Sequence, residues 1–152
     1  MTGHKPQPKK YCYDFPRPAV TVDGVVLSRR HGQTEVLLIR RRQPPFAGRW
    51  ALPGGFVNID EPLEAAVTRE LREETGIQAR KLTQIGAFGD LKRDPRGRTI
   101  SIAYLISDYV ANQAQPGDDA ADVRWWPVDA LPPLAFDHAQ IIAAALKTAG
   151  TK

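Results

Sequence analysis

At 152 residues the chain has room for one domain and little more, and a balance of 42% hydrophobic to 25% charged residues excludes a disordered or fibrous protein. No apolar run reaches the length of a bilayer span and none follows Met1 as an export signal would, so no membrane partner is expected and the expected compartment is the cytoplasm. A net charge of +4 suits an enzyme that attracts phosphorylated small molecules and is too weak to argue for nucleic acid; the single cysteine, Cys12, forbids an internal disulfide.

Residues 1–14 read as a flexible basic tail, and 15–150 as the folded domain. Ala19–Leu27 is valine-rich and predicts a strand, with a turn or bulge expected at Asp23-Gly24. Arg30–Thr34 predicts a turn and Glu35–Arg40 a second strand, ended by Gln43-Pro44-Pro45. Trp50-Ala51-Leu52 is a short apolar piece before Pro53-Gly54-Gly55. A helix is predicted over Pro62–Thr75, capped by Asp60 or Glu61 and stopped by Gly76 with Ile77 as an apolar anchor. Strands follow at Leu82–Phe88, Thr99–Ile106 and Val123–Val128, separated by loops at Asp90–Arg98 and Asn112–Asp119. A second helix over Asp137–Lys147, capped by Asp137, presents Ile141, Ala144 and Ala145 on one face. This order predicts an α/β fold: a mixed central sheet with helices on both faces.

The chemistry concentrates on the first helix. At roughly 100° per residue, Glu70, Glu73 and Glu74 fall on the side that Leu63, Ala66 and Val67 occupy earlier, while Thr68 and Arg72 lie opposite. Carboxylates at a helix C-terminus oppose the dipole by about 0.3–1 kcal/mol each and repel one another when crowded. A divalent cation with hard oxygen ligands relieves both penalties, so a metal site is expected here rather than a solvated face.

Gly55, Glu61, Arg69-Glu70-Leu71, Glu73-Glu74 and Gly76-Ile77 resemble the Nudix box at every defined position, a match with a chance probability below about 10⁻⁶. The resemblance implies a Nudix-type α/β/α sandwich and a Mg²⁺-dependent hydrolase, with Mn²⁺ able to substitute. It assigns Glu70, Glu73 and Glu74 as metal ligands, joined by the Gly54 carbonyl, and as the catalytic set. Arg69 either orients a glutamate or touches substrate, and Glu61 fixes the loop. The general base is open between Glu70, Glu73, Glu74 and the loop residues Asp118, Asp119 and Asp122.

Outside the box, segments such as Tyr13–Pro18, Pro45–Phe56, Arg93–Arg98, Gly117–Ala120 and Leu134–His138 resemble the ADP-ribose pyrophosphatase branch. That implies hydrolysis of the nucleotide ADP-ribose to AMP and ribose 5-phosphate. Arg93, Asp94, Arg96 and Arg98 are the expected substrate-binding set: guanidinium forks for phosphate, and a carboxylate for ribose hydroxyls. Phe88, Trp126 and Phe136 are candidates for stacking on adenine, each weighed against a core role, and His138 for a substrate contact. Two alternatives on the same chemistry are a nucleoside triphosphate house-cleaning enzyme and a dinucleoside polyphosphate hydrolase. A third is a ligand-sensing regulator of NAD metabolism, disfavoured because such regulators add a C-terminal DNA-binding domain that residues up to Lys152 leave no room for. By analogy with related pyrophosphatases, a homodimer involving Tyr11–Phe15 is expected.

Overall fold

The computed structural model describes residues 11–111 and 120–150. The expected tail therefore lies mostly outside the described residues, and so do Asp118 and Asp119.

Strand β1 (Ala19–Arg30) runs without interruption and turns into β2 (Gln33–Arg41) through His31-Gly32. Both turn residues have positive φ, 51° and 79°, which suits the twist of a two-residue hairpin. The turn expected at Asp23-Gly24 is absent. Gly24 instead permits close packing: a Cβ there would lie 3.0 Å from Ile106 Cδ1 and 3.3 Å from Val67 Cγ2.

The remaining elements are β3 (Trp50–Ala51), β4 (Gly54–Phe56), α1 (Leu63–Thr75), β5 (Gln78–Phe88), β6 (Thr99–Val110), β7 (Ala120–Pro127) and α2 (His138–Thr148). Together the strands form a seven-stranded mixed sheet in the order β3-β2-β1-β6-β5, with β4 added to β1 and β7 to β2. β1 and β6 pair in parallel and the other ladders are antiparallel.

The ladder partners of β1 change midway along one edge. Thr21–Asp23 pair with β4, whereas Leu27–Arg30 pair with β2. The two partners diverge from this point, and the fork between them opens the cavity described below.

The two faces of the sheet carry one helix each. Val22 and Tyr104 pack with Ala66 and Val67 of α1, and Val26 and Ile106 with Leu71. On the other face Val25, Ala103 and Leu105 pack with Ile141, Ile142 and Ala145 of α2. This alternation along β1 and β6 is the strand period of two read against two helices. Each such fully buried aliphatic side chain contributes roughly 1.5–3 kcal/mol. The layered arrangement matches the fold class read from the sequence.

Neither helix carries a side-chain cap bond at its N-terminus. The N-cap of α1 is Pro62, with no side-chain cap bond. Glu61 cannot serve because Arg69 holds its carboxylate from two turns along the helix. Asp137 is the N-cap residue of α2, as expected, but makes no cap bond because Arg93 occupies both of its oxygens. The stop of α1 is as expected: Gly76 has φ 74° and donates to the Arg72 carbonyl, and Ile77 is fully buried.

Candidate active site

A cavity of about 500 Å³ opens at the fork, lined from β1 by Asp23, from β2 by Arg41, from β4 by Gly54 and Gly55, and from α1 by Glu70 and Glu74. One side carries carboxylates and the other guanidinium groups.

On the carboxylate side, Glu74 Oε2 accepts the Gly54 N–H at 2.9 Å. Glu70 lies against Gly55 so closely that a Cβ there would come within 2.5 Å of its Oε1. Glycine in the Pro53-Gly54-Gly55 turn is therefore a requirement of the carboxylate's position. Burial raises the pKa of both acids. Glu74 is pushed up to about 8, with Glu70 and Asp23 adding to the effect and the Gly54 N–H opposing it. Glu70 is raised by burial against the pull of Arg69.

Arg69 organises this side. Its Nε and Nη2 bind the Glu61 oxygens at 2.7 and 3.0 Å, and its Nη1 reaches Glu70 at 2.7 Å and Glu73 at 3.3 Å. Nη2 also donates to the Phe56 carbonyl at 3.2 Å. One side chain thus ties the loop before α1 to the glutamates on it, which is the orienting role weighed in the sequence. Its own pKa is raised, chiefly by the bonds to Glu61.

Glu73 stands apart: its side chain is 53% exposed and does not line the cavity. Among the described residues no three acidic, histidine or cysteine side chains converge as a ready-made metal cluster. The reason is visible in the pairing, since Arg69 draws Glu70 and Glu73 while the Gly54 N–H holds Glu74. The donor set nonetheless fits a hard divalent cation. Glu70 and Glu74 are carboxylates on one cavity wall that burial has made proton-hungry, and a cation can take the proton's place.

Beside this wall lies a buried polar cluster around Asp23. The Asp23 carboxylate accepts a short hydrogen bond from the Ser101 hydroxyl and lies 3.4 Å from His138 Nε2 and 3.9 Å from Arg93 Nη2. His138 Nδ1 accepts the Leu52 N–H at 2.9 Å, so its proton sits on Nε2, facing Asp23. Burial lowers the His138 pKa, which keeps the ring neutral. Histidine therefore ties α2 to the strand that leads into Pro53-Gly54-Gly55. Asp23 sits in the run Val22-Asp23-Gly24-Val25 and reads as a turn, which is why it was missed.

The expected substrate loop divides. Arg93 is buried, with Nε and Nη2 on Asp137 at 3.0 and 2.7 Å, so it joins the loop to α2. Asp94 is 5% exposed and is gripped by Arg96 through Nε at 3.0 Å, Nη2 at 2.8 Å and the backbone N–H at 2.9 Å. Burial works against the ionised Asp94, but these bonds lower its pKa overall. Arg93, Asp94 and Arg96 all line the cavity. Arg98 does not: the turn at Asp94–Gly97 carries it back toward β6, where its Nη1 donates to the Gly89 carbonyl.

Among the aromatic candidates only Phe136 lines the cavity; Phe88 and Trp126 pack on the core around α2. Phe136 has φ 52°, a left-handed conformation costing a non-glycine residue roughly 1–3 kcal/mol. Its ring meets Phe46 edge-on at 4.9 Å, and the Arg41 and Arg96 guanidinium carbons lie 5.1 and 5.8 Å from its centroid. His138 lines the cavity too. Asp122, the described alternative base, is off the cavity and bonded to Arg124 at 2.8 Å.

Residues 17–145 match the NUDIX domain. Among curated proteins, the chain is 42% identical over 134 residues to an ADP-ribose pyrophosphatase of Methanocaldococcus jannaschii, covering 88% of this chain and 76% of that one. It is 38% identical over 144 residues to an ADPR responsive transcriptional repressor of Acinetobacter baylyi, covering 91% of this chain but only 57% of the repressor. Among solved structures, the NUDIX domain of Shewanella oneidensis NrtR complexed with ADP ribose superposes with a TM-score of 0.79 at 34% identity, covering 97% of this chain and 94% of that one.

Proposed function

The chain belongs to the NUDIX family, and from that premise we propose that it is a Mg²⁺-dependent pyrophosphohydrolase that splits ADP-ribose into AMP and ribose 5-phosphate. The observation that carries this reading is the two-sided cavity. Two half-buried carboxylates, Glu70 and Glu74, face guanidinium groups of Arg41 and Arg96 across a space of about 500 Å³, within the usual size range of small-ligand sites.

Glu70 and Glu74 would hold the cation, with Glu73 joining from the helix edge and the Gly54 carbonyl adding a main-chain oxygen; Mn²⁺ would substitute. When bound, the cation neutralises charge on the reacting phosphoryl group and acidifies the attacking water. Arg69 sets the positions of Glu61 and Glu70. Glu70 and Glu74 are the box carboxylates that face the cavity, and proton acceptance from water is assigned to this pair. Phe136, stripped of water on one face by Phe46, offers an apolar surface to the nucleoside.

A ligand-sensing role is the second reading, favoured by the likeness to the repressor. The intact set of Arg69, Glu70, Glu73 and Glu74 supports turnover instead. Incubation with ADP-ribose and Mg²⁺, followed by product identification, separates the two. Equimolar AMP and ribose 5-phosphate are expected, and tight binding without products would favour the sensor. We also propose a homodimer through the exposed Tyr11, Tyr13 and Phe15. Light scattering that returns a monomer mass at high concentration would rule it out.

A further inference from the structure

We propose that Arg41, at the end of β2, is the principal phosphate-recognising residue of the cavity, with Arg96 as its partner, and that Arg93 and Arg98 are not. The inference deepens the diphosphate reading above and rests on it.

Four observations point to Arg41. It is half-buried and lines the cavity. Its Nε donates to the Pro45 carbonyl at 2.8 Å and its Nη2 to Gln43 at 3.5 Å, so carbonyls of its own loop hold the guanidinium in place. Among the described residues no carboxylate lies within ion-pair distance of it, whereas Arg69, Arg93 and Arg96 each have at least one. Finally, the β2–β7 ladder slips between Arg40 and Arg41, an irregularity of the kind that re-aims side chains beside active sites.

A half-buried cation with no direct ion pair, and only the more distant carboxylates of Glu74, Asp94 and Asp23 to offset it, is costly unless the site expects an anion. The neighbourhood sharpens this. Arg41 and Arg96 flank the same Phe136 ring, and burial, followed by repulsion from Arg96, lowers the Arg41 pKa against the pull of Glu74, Asp94 and Asp23. Arg96 is already forked onto Asp94 and, with a side chain 43% exposed, has spare donors directed outward. A phosphoryl group placed between the two guanidinium groups relieves their repulsion and accepts planar, charge-assisted hydrogen bonds. The carboxylates opposite bar an anion from binding there without a cation. The ligand class is therefore a diphosphate bridged between arginines and metal. Arg93 is excluded because Asp137 takes its fork, and Arg98 because it lies off the cavity.

The test is calorimetric titration of inorganic diphosphate in excess Mg²⁺, with the KM for ADP-ribose measured in parallel. Arg41→Gln is expected to weaken diphosphate binding by about tenfold or more and to raise KM more than it lowers kcat. Arg41→Lys, which keeps charge but loses the fork, should recover part of the binding. Arg96→Gln should show a smaller loss, and Arg80→Gln on the exposed part of β5 none. If Arg41→Gln proves unfolded by circular dichroism, Arg41→Lys carries the test through its several-fold weaker binding. Wild-type binding in a folded Arg41→Gln or in Arg41→Lys overturns the proposal, as does the absence of diphosphate binding by the wild type. Arginine-dependent diphosphate binding without ADP-ribose turnover would count against the hydrolase reading alone. ADP-ribose turnover with unchanged KM in Arg41→Gln would count against this inference alone.

Discussion

The carboxylate side of the cavity comes from adjacent turns of one helix, whereas the guanidinium side joins a strand end to a loop far away in sequence. The first is organised by local spacing: Arg69, Glu70, Glu73 and Glu74 lie within two turns, and Arg69 can bond to three of the glutamates around it. The second depends on the fork in the sheet that brings Arg41 and Arg96 around Phe136. A helix-borne site tolerates loss of its surroundings better than one that three separate segments must assemble. The chemistry should therefore fail on one side, and recognition or folding on the other.

The largest effect is expected on the carboxylate side. Glu70→Gln and Glu74→Gln keep shape and remove charge, so kcat for ADP-ribose should fall by about 10²-fold or more with the melting temperature held. Excess chelator should abolish turnover, and Mg²⁺ should restore it. A Glu73→Gln variant sharpens the comparison, since Glu73 is exposed and outside the cavity; a loss smaller than that of Glu74→Gln is expected. Equal losses would place Glu73 among the direct ligands on the same footing.

On the other side, Arg93→Ala should act through stability. It leaves Asp137 and Asp23 buried without their cation, a change worth about 3–5 kcal/mol, read as a lower midpoint in denaturant. A variant that keeps its midpoint but loses substrate affinity would return Arg93 to the recognition set. Arg98→Ala should change kcat/KM by no more than about twofold, because the side chain bonds to Gly89 outside the cavity and surface substitutions rarely matter more.

These contrasts follow the limits of what could be read in the chain. The glutamate spacing was legible because helical periodicity places neighbours three and four apart on one face, Gly76 because it reads as a helix stop, and Gly55 through the resemblance to the Nudix box. The valine-rich run Ala19–Leu27 likewise announced a strand. Asp23 was not legible, since Asp-Gly is a turn signal unless one knows that Val67 and Ile106 crowd the glycine. Arg41 was hidden in Arg40-Arg41-Arg42, where nothing local tells that it is the one held half-buried at the cavity by the Pro45 and Gln43 carbonyls. Asp137 read as a helix cap, which it is by position, but its pairing with Arg93 was hidden because Arg93 arrives from a distant loop. Long-range pairings overrode local signals at each of these places.

A further predicted effect is electrostatic. With Glu74 at about 8 in the fold against an ordinary 4.5, the metal-free protein holds an extra proton between those values. Its stability should therefore decline as pH rises from about 4.5 through about 8. A cation that replaces the proton should raise the melting temperature more at pH 8.5 than at pH 5.5. An Mg²⁺-induced rise that is equal at both values would contradict the placement of Glu74 at the metal.

The central claim is that both sides act on one diphosphate carrying a sugar at each end, and competition between substrates tests it most directly. Under matched Mg²⁺, kcat/KM for ADP-ribose is predicted to exceed that for dGTP or 8-oxo-dGTP by at least about tenfold, roughly 1.4 kcal/mol of transition-state discrimination. A higher kcat/KM for either triphosphate would contradict the account of the cavity as an ADP-ribose site.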